Sequence, residues 1–238
     1  MSETILEIKN LTVELGKEKI IDNVSFDVRE GDIVAIVGPN GAGKTVLLRT
    51  LLGFLPYTGR VNWLQSLRKG YVPQRLPLVK DVPLTVAEFF ELKIKNNLPE
   101  KIESILQSVG LDGGLLKKPL NILTPGQYQR ALMAWQLMAD PEVMFFDEPM
   151  EGIDSSGQQS IYKFLEKIHK EKNITIFLVS HDLSVVYKLA SKVICLSRSL
   201  ICSGVPNEAL TAEMLTKLYG GEIKFYQHHH HHHHSNHD

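Results

Sequence analysis

The stretch Gly38-Pro39-Asn40-Gly41-Ala42-Gly43-Lys44-Thr45 fits the spacing G-x-x-x-x-G-K-[ST]. Glycines let successive backbone N–H groups converge on one phosphate, and a helix starting there adds positive potential. Lys44 would then reach the β- and γ-phosphates of a nucleotide, and the Thr45 hydroxyl would ligate Mg2+. The flanks suit this chemistry. "DIVAIVG" is a nearly continuous apolar run, as in a strand covered on both faces, and "TVLLRTLLGFL" has helical spacing.

A second set of chemical groups closes "VMFFDEP". Four apolar residues carry a buried strand to its C-terminal edge, where ligands of α/β sheets bind. Asp147 is placed to hold Mg2+ through a coordinated water, and Glu148 to orient or deprotonate an attacking water. An Asp-Glu pair after a strand is weak evidence alone. About one hundred residues beyond a phosphate loop it becomes strong.

The elements that must position these groups follow from patterning. "ILEIKNLTVEL" and "IIDNVSFDV" alternate apolar and polar residues, predicting half-buried antiparallel strands. From about Pro77 the character changes to amphipathic helices, "LTVAEFFELKIKNN" and "PEKIESILQSVGL", predicting a helical insert over about 77–135. Sheet patterning returns in "EVMFFDEP" and "NITIFLVSHD", with the helix "SGQQSIYKFLEKIHK" between them. The fold class is α/β: a mainly parallel sheet core, an N-terminal antiparallel β-subdomain and a helical insert, in one domain over 1–226.

The 238 residues are 43% hydrophobic, enough for one substantial core. A formal net charge of −1 gives no global basic field, so a nucleic-acid partner is not expected. No apolar run approaches the ~20 residues that cross a bilayer, and "MSETILEIKN" lacks a signal-peptide pattern. A soluble intracellular protein is expected. Cys195 and Cys202, in the predicted strand–turn–strand "VICLSRSLICSG", are expected as reduced core residues.

These motifs together resemble the ATP-binding cassette (ABC) ATPases along nearly the whole chain. The resemblance runs in family order: the phosphate loop, the Q-loop "GYVPQ" ending at Gln74, the signature loop "LTPGQYQR", the acidic pair in "FFDEP", the D-loop "EGID" ending at Asp154, and the switch histidine His181 in "LVSHD". It implies that ATP is sandwiched between two copies, one offering the phosphate loop and the other Thr124, Gly126 and Gln127. Those three residues stand before an apolar helix, so a hydroxyl, a flexible backbone and a helix N-terminus could meet a γ-phosphate. The resemblance also implies that Gln74 contacts Mg2+ or the attacking water and relays occupancy to the insert. His181 would contact the γ-phosphate, and Asp154 would organise the dimer interface. Outside the family pattern, Gln74 would be a loop residue, and Thr124, Asp154 and Ser180-His181-Asp182 would be helix caps.

Two departures stand out. The family's Leu-Ser-Gly-Gly-Gln is Leu-Thr-Pro-Gly-Gln here, and Pro125 removes a donor that a phosphate could use. The family's adenine-stacking aromatic aligns with Leu15, which loses ring stacking. Slow hydrolysis and weak base selectivity are expected.

Within the family, the stretches "LRKGYVPQRLPLVKDVPLTVAEFF", "EPMEGIDSSGQQSIYKFL" and "SHDLSVVYKLASKVICLSRSLICSGVPNEAL" resemble the ATPase subunits of bacterial zinc importers. That resemblance implies a membrane permease, an extracytoplasmic metal-binding protein and a peripheral position on the cytoplasmic face of the plasma membrane. Manganese or iron import, a soluble non-transport ATPase, and a regulator without turnover stay open. Residues 227–238 are predicted to be a disordered tail. Seven successive histidines there, with His237 beyond, could bind Zn2+ through His228, His230, His232, His234 and His237. A purification tag is the alternative. The run follows Tyr226-Gln227 without a linker and continues into Ser235-Asn236-His237-Asp238, which favours a native tail.

Overall fold

The computed structural model describes residues 3–64, 66–74, 84–93 and 99–220. Residues 77–83 and 94–98 of the predicted insert lie outside the described residues. So do the tail and its His228, His230, His232, His234 and His237.

The chain opens with strands β1 (Thr4–Leu15) and β2 (Glu18–Arg29), whose alternating burial matches their sequence pattern. They pair antiparallel, with Ile8 opposite Phe26 and Val13 opposite Ile21. Next come β3 (Ile33–Val37), the phosphate loop and helix α1 (Lys44–Leu51). Strand β4 (Thr58–Trp63) returns to the free edge of β1, completing a three-stranded sheet ordered β2-β1-β4. The short β5 (Lys69–Val72) ends two residues before Gln74. Patterning missed it, because four residues give period-two alternation almost nothing to act on.

Helices α2 (Val86–Glu91), α3 (Pro99–Ser108) and α4 (Pro125–Leu137) follow. Capping boxes start α2 and α4: the Thr85 and Thr124 hydroxyls accept from the amides of Glu88 and Gln127, whose side chains accept from the threonine amides. The chain then alternates β6 (Val143–Asp147), α5 (Ser155–Lys172), β7 (Thr175–Val179), α6 (Leu183–Leu189) and β8 (Lys192–Ser197). Strand β9 (Ser199–Gly204) turns back on β8, and α7 (Pro206–Ala209) and α8 (Ala212–Tyr219) close the described chain.

The second sheet has the order β5-β6-β7-β3-β8-β9, parallel except for β9. Every residue of β3, β6 and β7 is buried, as strands covered on both faces require. Within β6 the faces alternate strictly. Val143 and Phe145 join the core that α1 and the antiparallel sheet cover, whereas Met144 and Phe146 join the core under α4 and α5. Phe145 stacks on Phe177 of β7 with ring centroids 4.7 Å apart, and Trp63 of β4 meets both edge-on. This packing binds the antiparallel sheet to the strand that ends in Asp147. No helix among the described residues is long and apolar enough to cross a membrane.

Cys195 and Cys202 are not reduced thiols but a disulfide. The β8–β9 register sets them directly opposite one another, with Cα atoms 4.8 Å apart, within disulfide range. Spacing in sequence does not carry that register.

Candidate active site

Strand β3 delivers the phosphate loop to the C-terminal edge of the parallel sheet. A side chain at Gly38 would place Cβ 2.0 Å from the Leu196 carbonyl oxygen, so only glycine lets the loop pass β8 this closely. Gly43 caps α1 in the left-handed region, at φ 94°, and turns the chain sharply into the helix. The Lys44 ammonium lies back along the loop and donates to the carbonyls of Gly38 (2.9 Å) and Pro39 (3.0 Å). Burial pushes its pKa down, opposed by the charges of Glu148 and Asp147.

Strand β6 brings the acidic pair to the same edge. Asp147 is buried, and Thr45 Oγ1 donates to its Oδ1 at 3.0 Å. Burial raises its pKa; hydrogen bonds from Thr45 and Tyr71 and the charges of Arg49 and Lys44 act against that rise. Glu148 has φ 47°, a left-handed conformation unusual for a side-chain-bearing residue, and its amide donates to Val179 O at 3.2 Å. Such strain concentrates at functional sites. It points the Glu148 carboxylate at Lys44, with Oε1 3.9 Å from Nζ.

Gln74 and His181 complete the group. Gln74 Nε2 donates to Glu148 Oε2 at 3.3 Å and also to the Glu151 carboxylate. His181 Nδ1 lies 3.7 Å from Glu148 Oε2, on a largely exposed ring. A cleft of about 750 Å3 is lined by the loop from Asn40 to Val46 and by Ile20, Gln74, Glu148, Glu151 and His181. Ala42 is buried in the loop, while Gly38 and Pro39 sit behind the lining and hold Lys44.

The remaining expected residues lie elsewhere. Thr124, Gly126 and Gln127 form the N-terminus of α4, and Asp154 stands at the N-cap position of α5; none lines the cleft of its own chain. They do neighbour one another: Gly126 packs against Ile153, the residue before Asp154. Pro125 occupies the first helical position of α4, where an N–H has no intrahelical partner in any case, so the helix itself loses nothing by it. Leu15 is 41% exposed at the β1–β2 turn, and Ile20 of β2 lines the cleft.

Sequence reading missed Ile20, Glu151 and Tyr71. Ile20 was legible only as one residue of an alternating strand. Glu151 opens the quoted "EGID", but nothing in that motif points it at the cleft. Tyr71 belongs to the "GYVPQ" motif, but nothing in its spacing points it at Asp147.

The oxygen donors Thr45 Oγ1 and Asp147 Oδ1 meet each other, with Gln74 and Glu148 on the same cleft. This hard, all-oxygen set fits Mg2+ in a nucleotide complex and would suit no soft metal.

A glycine loop on a parallel strand, a lysine beside a strand-end acidic pair, and a histidine on the next loop define a P-loop ATPase. The chain belongs to the ABC transporter family, which matches residues 21–151. It is 39% identical to the zinc import ATP-binding protein ZnuC of Cereibacter sphaeroides over 230 residues, 94% of each chain. It is 40% identical over 222 residues, 90% of each chain, to a metal transport system ATP-binding protein of Thermotoga maritima. Its fold superposes on an inward-facing metal-chelate type ABC transporter with TM-score 0.81 at 24% identity, covering 91% of this chain and 89% of the other. The protein is therefore an ATP-binding ABC ATPase.

Proposed function

We propose that this chain is the energising subunit of a zinc importer. In this reading two copies bind ATP between them and drive a membrane permease from its cytoplasmic side. The likeness over nearly the whole chain to a protein named for zinc import carries the choice of cargo. The importer reading adds an extracytoplasmic metal-binding protein as an indirect partner.

The chemistry assigned to each residue follows from its place. Loop N–H groups and Lys44 hold the β- and γ-phosphates, with Thr45 and Asp147 as the Mg2+ ligands and Gln74 beside them. When bound, Mg2+ neutralises phosphate charge. Glu148 accepts a proton from water as its oxygen bonds to the γ-phosphorus and the bond to the ADP oxygen breaks. His181, close to Glu148, contacts the γ-phosphate. Because Thr124, Gly126, Gln127 and Asp154 do not line their own cleft, a second copy is the natural source of these groups. If native, the tail senses or buffers cytosolic zinc.

The deciding experiment is uptake of radioactive zinc into vesicles holding the cognate permease. Wild-type chain should support ATP-dependent uptake and Glu148→Gln should not. ATP-dependent uptake of manganese or iron in place of zinc would reject the cargo assignment.

A further inference from the structure

Tyr71 touches three parts of the molecule: Asp147 at the end of β6, Gln136 of α4, and Phe54 after α1. Its hydroxyl donates to Asp147 Oδ2 at 3.3 Å, while Thr45 occupies Oδ1 at 3.0 Å. Its backbone carbonyl accepts from Gln136 Nε2 of α4 at 2.8 Å. Gln136 Oε1 accepts in turn from Lys93 Nζ at 3.0 Å, and Lys93 lies 3.9 Å over the Trp135 ring. Trp135 stacks on Phe89 of α2 and donates to its carbonyl at 3.0 Å. On the other side the exposed Phe54 meets the Tyr71 ring edge-on at 6.3 Å.

A carboxylate turns easily about its last bond, because that torsion has broad minima. A single hydrogen bond leaves much of this freedom; donors on both oxygens remove it. Thr45 is itself a candidate metal ligand, so Tyr71 is the donor that steadies Asp147 without competing for the cation. We propose that Tyr71 is a positioning residue: its phenol sets the Asp147 carboxylate for the divalent ion of the nucleotide complex, and Gln136 lets α4 set Tyr71. This rests on the ATP-site reading above.

The test uses the full chain and the Tyr71→Phe variant, which keeps the ring and removes the O–H. Nucleotide affinity is measured in EDTA with a fluorescent ATP analogue, and Mn2+ affinity of the ADP complex by electron paramagnetic resonance. Losing a hydrogen bond as long as 3.3 Å should weaken Mn2+ binding about three- to tenfold, the worth of an ordinary hydrogen bond, and leave binding in EDTA within about twofold. In an Asp147→Asn background the same change should have no further effect on Mn2+, whereas additive losses would overturn the proposal. Unchanged Mn2+ affinity, or equal losses with and without metal, would also overturn it while leaving the ATP site in place. A wild-type chain that binds no nucleotide in EDTA would remove the ATP-site reading and this inference with it.

Discussion

Thr45 and Asp147 are 102 positions apart in sequence, yet the hydroxyl of one donates to the carboxylate of the other at 3.0 Å. Strand β7 lies between β3 and β6, and all three run parallel, so their C-terminal ends share one edge. The contact therefore depends on the sheet order as much as on the two motifs.

Lys44 and Glu148 share the cleft but have separable tasks. Lys44→Ala should abolish ATP binding at concentrations that saturate the wild type. Glu148→Gln should bind ATP normally and hydrolyse it about 10²- to 10⁴-fold more slowly, the usual loss for a general base. Analogue fluorescence and phosphate release, measured with the permease present, separate the two. Equal and poor hydrolysis by wild type and Glu148→Gln would mark a regulator without turnover.

Gly38→Ala tests the close approach of the loop to β8. The added Cβ would sit 2.0 Å from a backbone oxygen that cannot swing away. A loss of about 1–3 kcal/mol is expected, as for other overpacked sites. Thermal unfolding and ATP binding should fall together.

The start of α4 separates helix stability from phosphate recognition. Thr124→Ala removes the capping hydroxyl and should cost about 1 kcal/mol. Pro125→Ser should move stability by less than about 0.5 kcal/mol, because the first helical position has no use for the extra N–H. If that N–H strengthens phosphate binding, Pro125→Ser should raise hydrolysis at limiting ATP without changing the melting temperature.

Tyr162 anchors the loop that carries His181, donating to Asp182 Oδ2 at 3.3 Å. Burial, then the Asp182 charge and hydrogen bond, push its pKa upward. The folded phenol stays protonated while the unfolded one ionises near 10.0. Its contribution to stability is therefore complete below that pH and is lost as pH rises above it. Urea unfolding across that range should show a shallower fall with pH for Tyr162→Phe than for wild type.

The histidine tail gives a metal-dependent prediction. Deleting His228 to Asp238 should change zinc inhibition of ATPase activity, and the difference should shrink below about pH 6.5 as imidazoles protonate. Identical inhibition curves would mark the tail as inert.

Much of the centre was legible in sequence because local chemistry specifies it. The loop from Gly38 to Thr45 demands glycines, a lysine and a hydroxyl in order, and "VMFFDEP" announces a buried strand ending in acids. The alternation that predicted β1 and β2, and the apolar runs of β3 and β6, followed from one-sided and two-sided burial. Other features were illegible because they are relations between distant segments. The register that faces Cys195 with Cys202, the placement of Ile20 on the cleft, and the bond from Tyr71 to Asp147 leave no periodic mark. The amino-acid sequence by itself determined which groups could grip and cleave a triphosphate, since backbone freedom and side-chain type are local properties. Only the tertiary structure decided which groups meet, because strand order and packing set distances across a hundred residues of chain.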